Sequence, residues 1–121
     1  MAWINRARSN LARAKYRIPE AYLEDLCFDA QQAAEKAVKA VLIRRTLAFP
    51  FVHDLAKLLT ILERSGLKVP KYVRRAERLT AFAVEPRYPS FAAAVTEKQY
   101  RGAVRAAEAV FGWALRHVQR P

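Results

Sequence analysis

The segment QQAAEKAVKAVL, residues 31–42, carries the strongest structural signal in this chain. Seven of its twelve residues are alanine, valine or leucine, and they recur at the spacing of a helix with a buried face. The other five are polar: Gln31, Gln32, Glu35, Lys36 and Lys39. Residues 31, 35 and 39 follow one another at intervals of four, so they share one side of the helix. Two interpretations are open: a solvated face with an ordinary Glu–Lys ion pair, or one wall of a ligand site.

Length and composition predict one domain spanning residues 1–121. The chain has 121 residues, 53% of them hydrophobic, which suffices for a core without disulfides or metal. No apolar run approaches the ~18 residues of a membrane span, and the first residues lack the apolar segment of a secretory signal. One cysteine, Cys27, excludes an internal disulfide and a multi-cysteine zinc site. We therefore expect a cytoplasmic protein with no metal and no cofactor.

The charge balance is the most unusual compositional feature. Twenty-two Lys and Arg face eleven acids, which gives a net charge of +11. Such a field attracts phosphate backbones, anionic surfaces or an acidic partner. The alternative is that the positive charge serves solubility alone.

Apolar periodicity and helix-boundary residues predict an all-α, up-and-down antiparallel bundle of four or five helices, with no sheet. The expected helices cover residues 2–16, 19–45, 53–64, 70–82 and 96–117. Pro19 and Pro70 begin helices, Gly66 ends one, and Thr96 with Gln99 forms a capping box.

The last two helices have definite expected inward faces. In the fourth helix these are Val73, Ala76, Leu79 and Phe82 or Ala83, and in the fifth Tyr100, Val104, Ala107, Phe111, Leu115 and Val118. On the outer side of the fourth helix lie four basic residues, Lys71, Arg74, Arg75 and Arg78. They form a candidate phosphate-binding stripe that could join the arginines of the first helix, or they are a solvated face.

Few residues are candidates for chemistry. Cys27 falls on the apolar side of the second helix, where a free cysteine is normally a core residue. His53 and Asp54 open the third helix, so they either cap it or bind an anion there. No serine or cysteine has a histidine nearby in sequence to indicate a catalytic triad.

The segment Glu85-Pro86-Arg87-Tyr88-Pro89 is the most distinctive loop. Its two prolines restrict the backbone, so Arg87 could present its guanidinium to a phosphate and Tyr88 its ring to a base. The other interpretation is a rigid connector whose side chains pack on the bundle.

Four pieces of this sequence together resemble the HEPN family (higher eukaryotes and prokaryotes nucleotide-binding). In chain order they are Trp3, then Gln32-Ala33-Ala34-Glu35-Lys36 with Lys39, then His53-Asp54-Leu55, and finally Arg87-Tyr88-Pro89. The resemblance covers nearly the whole chain. It implies an all-α bundle, often a homodimer, commonly encoded beside a small nucleotidyltransferase in toxin–antitoxin-like pairs.

Many HEPN members are metal-independent ribonucleases whose site is an arginine followed by four to six residues and a histidine. This sequence departs from that pattern, because no histidine closely follows Arg87, and seven residues separate Arg45 from His53 in an earlier loop. We therefore favour a non-catalytic protein that binds a nucleotide or RNA, acts with a nucleotidyltransferase, or both. The alternatives are a ribonuclease with a relocated site that uses His53 and Arg87, and a structural dimerisation module with a basic surface. The expected ligand-binding residues are Gln32, Glu35, Lys36, Lys39, His53, Asp54, Arg87 and Tyr88.

Overall fold

A computed structural model describes residues 2–83 and 94–119, and in these ranges it contains helices and no strand. The α-helices are α1 (Ala2–Lys15), α2 (Leu23–Arg44), α3 (Leu55–Arg64), α4 (Lys71–Arg74) and α5 (Glu97–Gln119). A 3₁₀ helix, Arg75–Phe82, directly continues α4. The predicted all-α bundle is confirmed.

Helix α2 is the central element of the bundle. It has 22 residues, hence a length of about 33 Å, and it packs against α1, α3, α5 and the 3₁₀ helix. Small alanines at 30, 33, 34 and 37 are fully buried, which lets neighbouring helices approach closely. Only one narrow stripe in its middle, through Phe28, Gln32 and Lys36, is half-buried rather than buried.

Helix α2 begins at Leu23, four residues later than predicted. Pro19 lies instead in a turn, which the amide of Ala21 closes by donating to the carbonyl of Ile18 at 3.1 Å. The fixed φ of proline suits the second position of such a turn as well as the first turn of a helix. Tyr22 then has extended backbone and precedes the first helical residue.

Helix α1 runs antiparallel to α5. The hydroxyl of Tyr100, near the start of α5, donates to the carbonyl of Ala14, near the end of α1, at 2.6 Å. Arg17 forms an ion pair with Glu97 beside this bond. The apolar residues Ile4, Ala7 and Ala14 of α1 are buried.

Two helices end in the same hydrogen-bonded motif. After α2, Thr46 donates to the carbonyl of Ile43 at 2.9 Å and Leu47 to that of Leu42 at 2.9 Å. After α3, the amides of residues 66 and 67 make the equivalent bonds. This is the Schellman motif, which needs a left-handed residue after the cap. Gly66 fills that position with φ +99°, whereas Thr46 fills it with φ +60°.

The fourth predicted helix is mostly 3₁₀, which corrects the expectation of one regular α-helix. Its buried residues Val73, Ala76 and Leu79 recur every three positions, the repeat of a 3₁₀ helix. Three-residue spacing brings all of them onto the core, whereas an α-helix would rotate them progressively away from it.

Helix α5 begins with the predicted capping box. The amide of Thr96 donates to the side chain of Gln99 at 2.9 Å, and the amide of Gln99 donates to the Thr96 hydroxyl at 3.1 Å. The inward face differs in part from the expectation: Val104, Phe111 and Leu115 are half-buried. The buried residues are Tyr100, Ala103, Ala107, Val110, Trp113, Ala114 and Val118. The face is rotated because α5 contacts α1, α2 and the 3₁₀ helix at once.

Candidate functional site

Three polar side chains of α2 are buried in the bundle. Gln31, Glu35 and Lys39 are exposed by only 0%, 3% and 5%. Buried polar groups require hydrogen bonds, and in the described part of the chain no buried side-chain nitrogen or oxygen lacks one. These residues are therefore not a solvated face.

Glu35 is the centre of this network. Its Oε2 accepts from Lys39 Nζ at 2.8 Å, and its Oε1 accepts from Gln31 Nε2 at 3.0 Å. The same Oε1 lies 2.7 Å from His53 Nδ1. Burial alone raises the pKa of Glu35, but the hydrogen bonds from Lys39, Gln31 and His53 outweigh it and lower the pKa below its ordinary value. Glu35 is thus a buried, ionised carboxylate at neutral pH.

Two aromatic rings cover the ammonium of Lys39. Its Nζ lies 5.6 Å from the ring centroid of Trp3 on α1 and 5.8 Å from that of Phe49 in the α2–α3 loop. Both distances are within the range of cation–π attraction. The rings explain how a lysine is stable in the core, and they leave its charge unavailable to a ligand at the surface.

His53 carries the network to the surface. Its side chain is 62% exposed although Nδ1 contacts the buried Glu35. An ionised carboxylate only accepts hydrogen bonds, so Nδ1 donates and Nε2 points away from Glu35. Gln31 Nε2 also reaches the carbonyl of His53 at 3.4 Å. A buried carboxylate therefore orients an exposed imidazole, which can meet a ligand through Nε2 as donor or acceptor.

A second polar cluster connects α1 and α2 beside this network. Lys36 Nζ donates to Asn10 Oδ1 at 2.8 Å, and Asn10 Nδ2 donates to Asp29 Oδ1 at 3.1 Å. Arg13 Nε lies 3.6 Å from the same Asp29 oxygen. Asn10 and Asp29 are both buried, so they fix the position of the Lys36 side chain.

Gln32 lies between the two clusters. Its Nε2 donates to Gln31 Oε1 at 2.7 Å. The structure therefore brings together four of the expected ligand-binding residues, Gln32, Glu35, Lys39 and His53, whereas Lys36 belongs to the second cluster.

Asp54 has a different role from His53. Its carboxylate accepts from the amide of Lys57 at 3.4 Å and caps α3. His53 does not share in the cap, because its ring contacts Glu35 instead. Arg87 and Tyr88, the other two expected ligand-binding residues, lie outside the described residues.

The predicted basic stripe is interrupted at Arg74. Its guanidinium donates to the carbonyl of Ala56 at 3.1 Å and to the hydroxyl of Thr60 at 2.7 Å, so it ties α4 to α3. Lys71, Arg75 and Arg78 remain exposed. In the described ranges, α1 packs on α2 and α5 and not on this segment, so the arginines of α1 form a separate surface.

Cys27 and His117 both lie in environments that explain them structurally. Cys27 is fully buried, and burial followed by the nearby Glu24 charge raises the pKa of its thiol to about 11. Such a thiol is neither a nucleophile nor a metal ligand at neutral pH. His117 packs against Trp113, with the ring centroids 4.8 Å apart. Among residues 2–83 and 94–119 no cluster of metal-binding side chains occurs.

Sequence reasoning missed Asn10, Asp29 and Phe51. Asn10 lies three residues after Ala7 and four before Ala14, and Asp29 lies three after Leu26, so both occur at inward positions. A polar residue in an apolar register was the available signal. Phe51 gave no such signal, because nothing in the sequence distinguishes an exposed phenylalanine from a buried one. In the structure it is 99% exposed and lies two residues before His53. The backbone turns tightly there, since the amide of Val52 donates to the carbonyl of Pro50 at 3.0 Å.

None of the helices described in this structure is long and apolar enough to cross a membrane.

Known proteins share both the sequence pattern and the fold of this chain. The HEPN domain model matches residues 1–118. The crystal structure of TT1696 from Thermus thermophilus has a TM-score of 0.82 and 26% sequence identity, covering 96% of this chain and 95% of that one. ST0689, an archaeal HEPN homologue, has a TM-score of 0.76 and 25% identity, covering 98% and 96% respectively. No curated protein matches this sequence.

Proposed function

The chain belongs to the HEPN domain family, and from that premise we propose that it binds a phosphate-bearing ligand, a nucleotide or an RNA, at His53. The family is linked to nucleotide and RNA interaction. The observation that carries the proposal is the contact of 2.7 Å between Glu35 Oε1 and His53 Nδ1, which joins a buried carboxylate to a largely exposed imidazole.

The hydrogen bonds around His53 do more to orient its ring than to stabilise the packing of the helices. Burying Glu35 with Lys39 contributes little stability compared with apolar residues of similar size, because both charges must be desolvated. The arrangement does, however, fix the ring of His53 in one orientation. A fixed imidazole loses little entropy when it contacts a phosphate oxygen.

Phe51 completes the proposed site. An exposed phenylalanine has no role in the core, and a ring beside a phosphate contact can stack on a nucleobase. The net charge of +11 attracts such a ligand to the molecule.

We expect His53→Ala and Phe51→Ala each to weaken binding of the mononucleotides AMP and UMP about tenfold, the loss of one hydrogen bond or one stacking contact. Isothermal titration calorimetry measures this directly. Tyr22→Ala is the matched control for Phe51→Ala, because Tyr22 is also an exposed aromatic, at 74%. Equal affinities in wild type and both variants would rule the site out.

A metal-independent ribonuclease is the second candidate. The Glu35–His53 pair has the geometry of a carboxylate that orients a general acid or base. An RNA cleavage assay separates the two functions: loss of cleavage in His53→Ala supports an enzyme, and equal cleavage in that variant excludes this mechanism.

The expected homodimer and the small nucleotidyltransferase partner remain predictions. Either could act together with ligand binding, because helix packing in one chain leaves the α2–α3 loop accessible.

A further inference from the structure

The surface between α1 and α2 carries a row of cations that the His53 site does not use. Arg6, Asn10 and Arg13 are spaced by four and three residues, so they share the side of α1 that faces α2. Opposite them on α2 are Asp29 and Lys36. We call Arg6, Arg13 and Lys36 the seam cations.

Buried groups hold one of these cations in place. Asn10 Oδ1 accepts from Lys36 Nζ at 2.8 Å, and the Asn10 amide is itself anchored by Asp29 at 3.1 Å. Asn10 and Asp29 are exposed by only 7% and 6%. The ammonium of Lys36 is therefore pre-positioned at the seam.

The seam has an excess of positive charge. Burial and the charges of Arg6 and Arg13 lower the pKa of Lys36, while Glu35 and Asp29 act in the opposite direction. Glu35 is already bonded to Lys39, so Asp29, and Asp25 in the same groove as Arg13, remain to balance three cations, which leaves a net charge of +1. A bound anion would relieve this repulsion.

The seam cations form a track longer than one phosphate. Arg6 and Arg13 are separated by seven residues, about 10 Å along the helix, and Lys36 binds Asn10 between them. The track adjoins the His53 site, because Gln32, one turn from Lys36 on α2, hydrogen-bonds to Gln31, which reaches the His53 carbonyl.

We propose that Arg6, Arg13 and Lys36 form a second phosphate subsite, which binds the backbone of a single-stranded oligonucleotide whose neighbouring nucleotide occupies the His53 site. This inference rests on the proposed function and narrows the ligand from any nucleotide to a strand of several nucleotides. Because interactions with the phosphate backbone supply the affinity, binding to the seam depends on salt and tolerates different base sequences.

The test compares a mononucleotide with a strand on the same proteins. The probes are UMP and a fluorescein-labelled oligouridylate of about 12 nucleotides, within the usual range of single-strand sites. Arg6→Ala/Arg13→Ala removes two exposed cations from the seam. Arg64→Ala/Lys68→Ala is the matched control: it removes the same charge from the end of α3 and the loop after it, both exposed. Circular dichroism verifies that each variant is folded.

We expect the seam variant to bind the oligonucleotide at least tenfold more weakly than the control variant does, with UMP affinity unchanged within twofold. The slope of log affinity against log salt should fall by about one for each phosphate that the variant no longer binds. Lys36→Met should also weaken oligonucleotide binding, because it removes one seam cation. His53→Ala should weaken both UMP and the oligonucleotide.

Three outcomes overturn the inference. The seam variant could bind the oligonucleotide as well as the control variant does, or it could lose UMP and oligonucleotide binding equally, which would make the seam part of the mononucleotide site. Wild type could also fail to bind the oligonucleotide. If instead the oligonucleotide depends on the seam while UMP does not bind and His53→Ala has no effect, the seam stands and the proposed function at His53 fails.

Discussion

Glu35 accepts hydrogen bonds from a lysine, an amide and an imidazole, although each of these donors has a different relation to solvent. Lys39 is enclosed by rings, Gln31 is fully buried, and His53 is exposed. Removing the carboxylate therefore has two separable consequences. The core retains an unpaired ammonium, and the surface retains a histidine whose orientation is no longer fixed.

We predict that Glu35→Gln lowers the free energy of unfolding by about 3 kcal/mol at neutral pH, because a buried lysine loses its counter-charge. The folded-state pKa of Glu35 is below its ordinary value of 4.5, so its stabilising contribution is complete above that pH and is lost as pH falls through the folded-state pKa. The difference between wild type and variant should shrink below about pH 4.5. Urea denaturation at a series of pH values measures it.

The double variant Glu35→Gln/Lys39→Met is the control for this prediction. It removes both charges and should recover part of the lost stability, because an apolar pair has no desolvation penalty. If Glu35→Gln is as stable as wild type at neutral pH, the buried ion pair between Glu35 and Lys39 does not form in solution.

At this scale the sequence predicted that the polar residues of α2 share one side, and it did not predict that they are buried. The four-residue spacing of Gln31, Glu35 and Lys39 put them on one side of α2, but spacing alone fits a solvated row equally well. Their burial depends on Trp3 and Phe49, which come from other elements and cover Lys39. Contacts between elements distant in sequence cannot be read from the periodicity of one helix.

At the scale of elements, the two Schellman motifs differ at one residue. Gly66 adopts a left-handed conformation without steric penalty, whereas Thr46 is β-branched and crowds its own backbone there. Strained positions persist where the surrounding structure holds them, and they are frequent near functional sites. Thr46 begins the loop that carries Phe49, Phe51 and His53.

We predict that Thr46→Gly raises the free energy of unfolding by about 1 kcal/mol, since it relieves the strain of the left-handed conformation. The reciprocal change Gly66→Thr should lower it by about 1–2 kcal/mol, because a Cβ at Gly66 meets no neighbouring atom and only the backbone conformation is unfavourable. Thermal denaturation measures both variants. Destabilisation by Thr46→Gly would contradict the strained conformation.

Boundary residues predicted the helix ends well where side chains make the cap. Thr96 and Gln99 gave the start of α5, and Asp54 gave that of α3, because these bonds are local in sequence. The start of α2 predicted at Pro19 was wrong, because proline suits both the first turn of a helix and the second position of a tight turn, and here it lies in the turn. The three-residue repeat of Val73, Ala76 and Leu79 indicates the 3₁₀ helix, but distinguishing that repeat from an α-helical one needs the position of the core.

At the scale of the whole molecule, the excess of positive charge is distributed among separate surfaces. Some cations are structural: Arg74 joins α4 to α3, and Arg17 joins the end of α1 to the start of α5. The seam cations of α1 and α2 are distinct from the exposed Lys71, Arg75 and Arg78. The net charge predicted an attraction for anions but not its location. The packing of α1 on α2 brings the seam cations from the two helices to one surface.

The rings over Lys39 also give this protein an optical reporter. Trp3 lies against an ammonium that is one hydrogen bond from Glu35 and two from His53. Indole emission responds to nearby charge, so a ligand that changes the charge at His53 should alter the fluorescence of Trp3 without any added dye. The second tryptophan, Trp113, is buried in α5 and packs against His117, with ring centroids 4.8 Å apart.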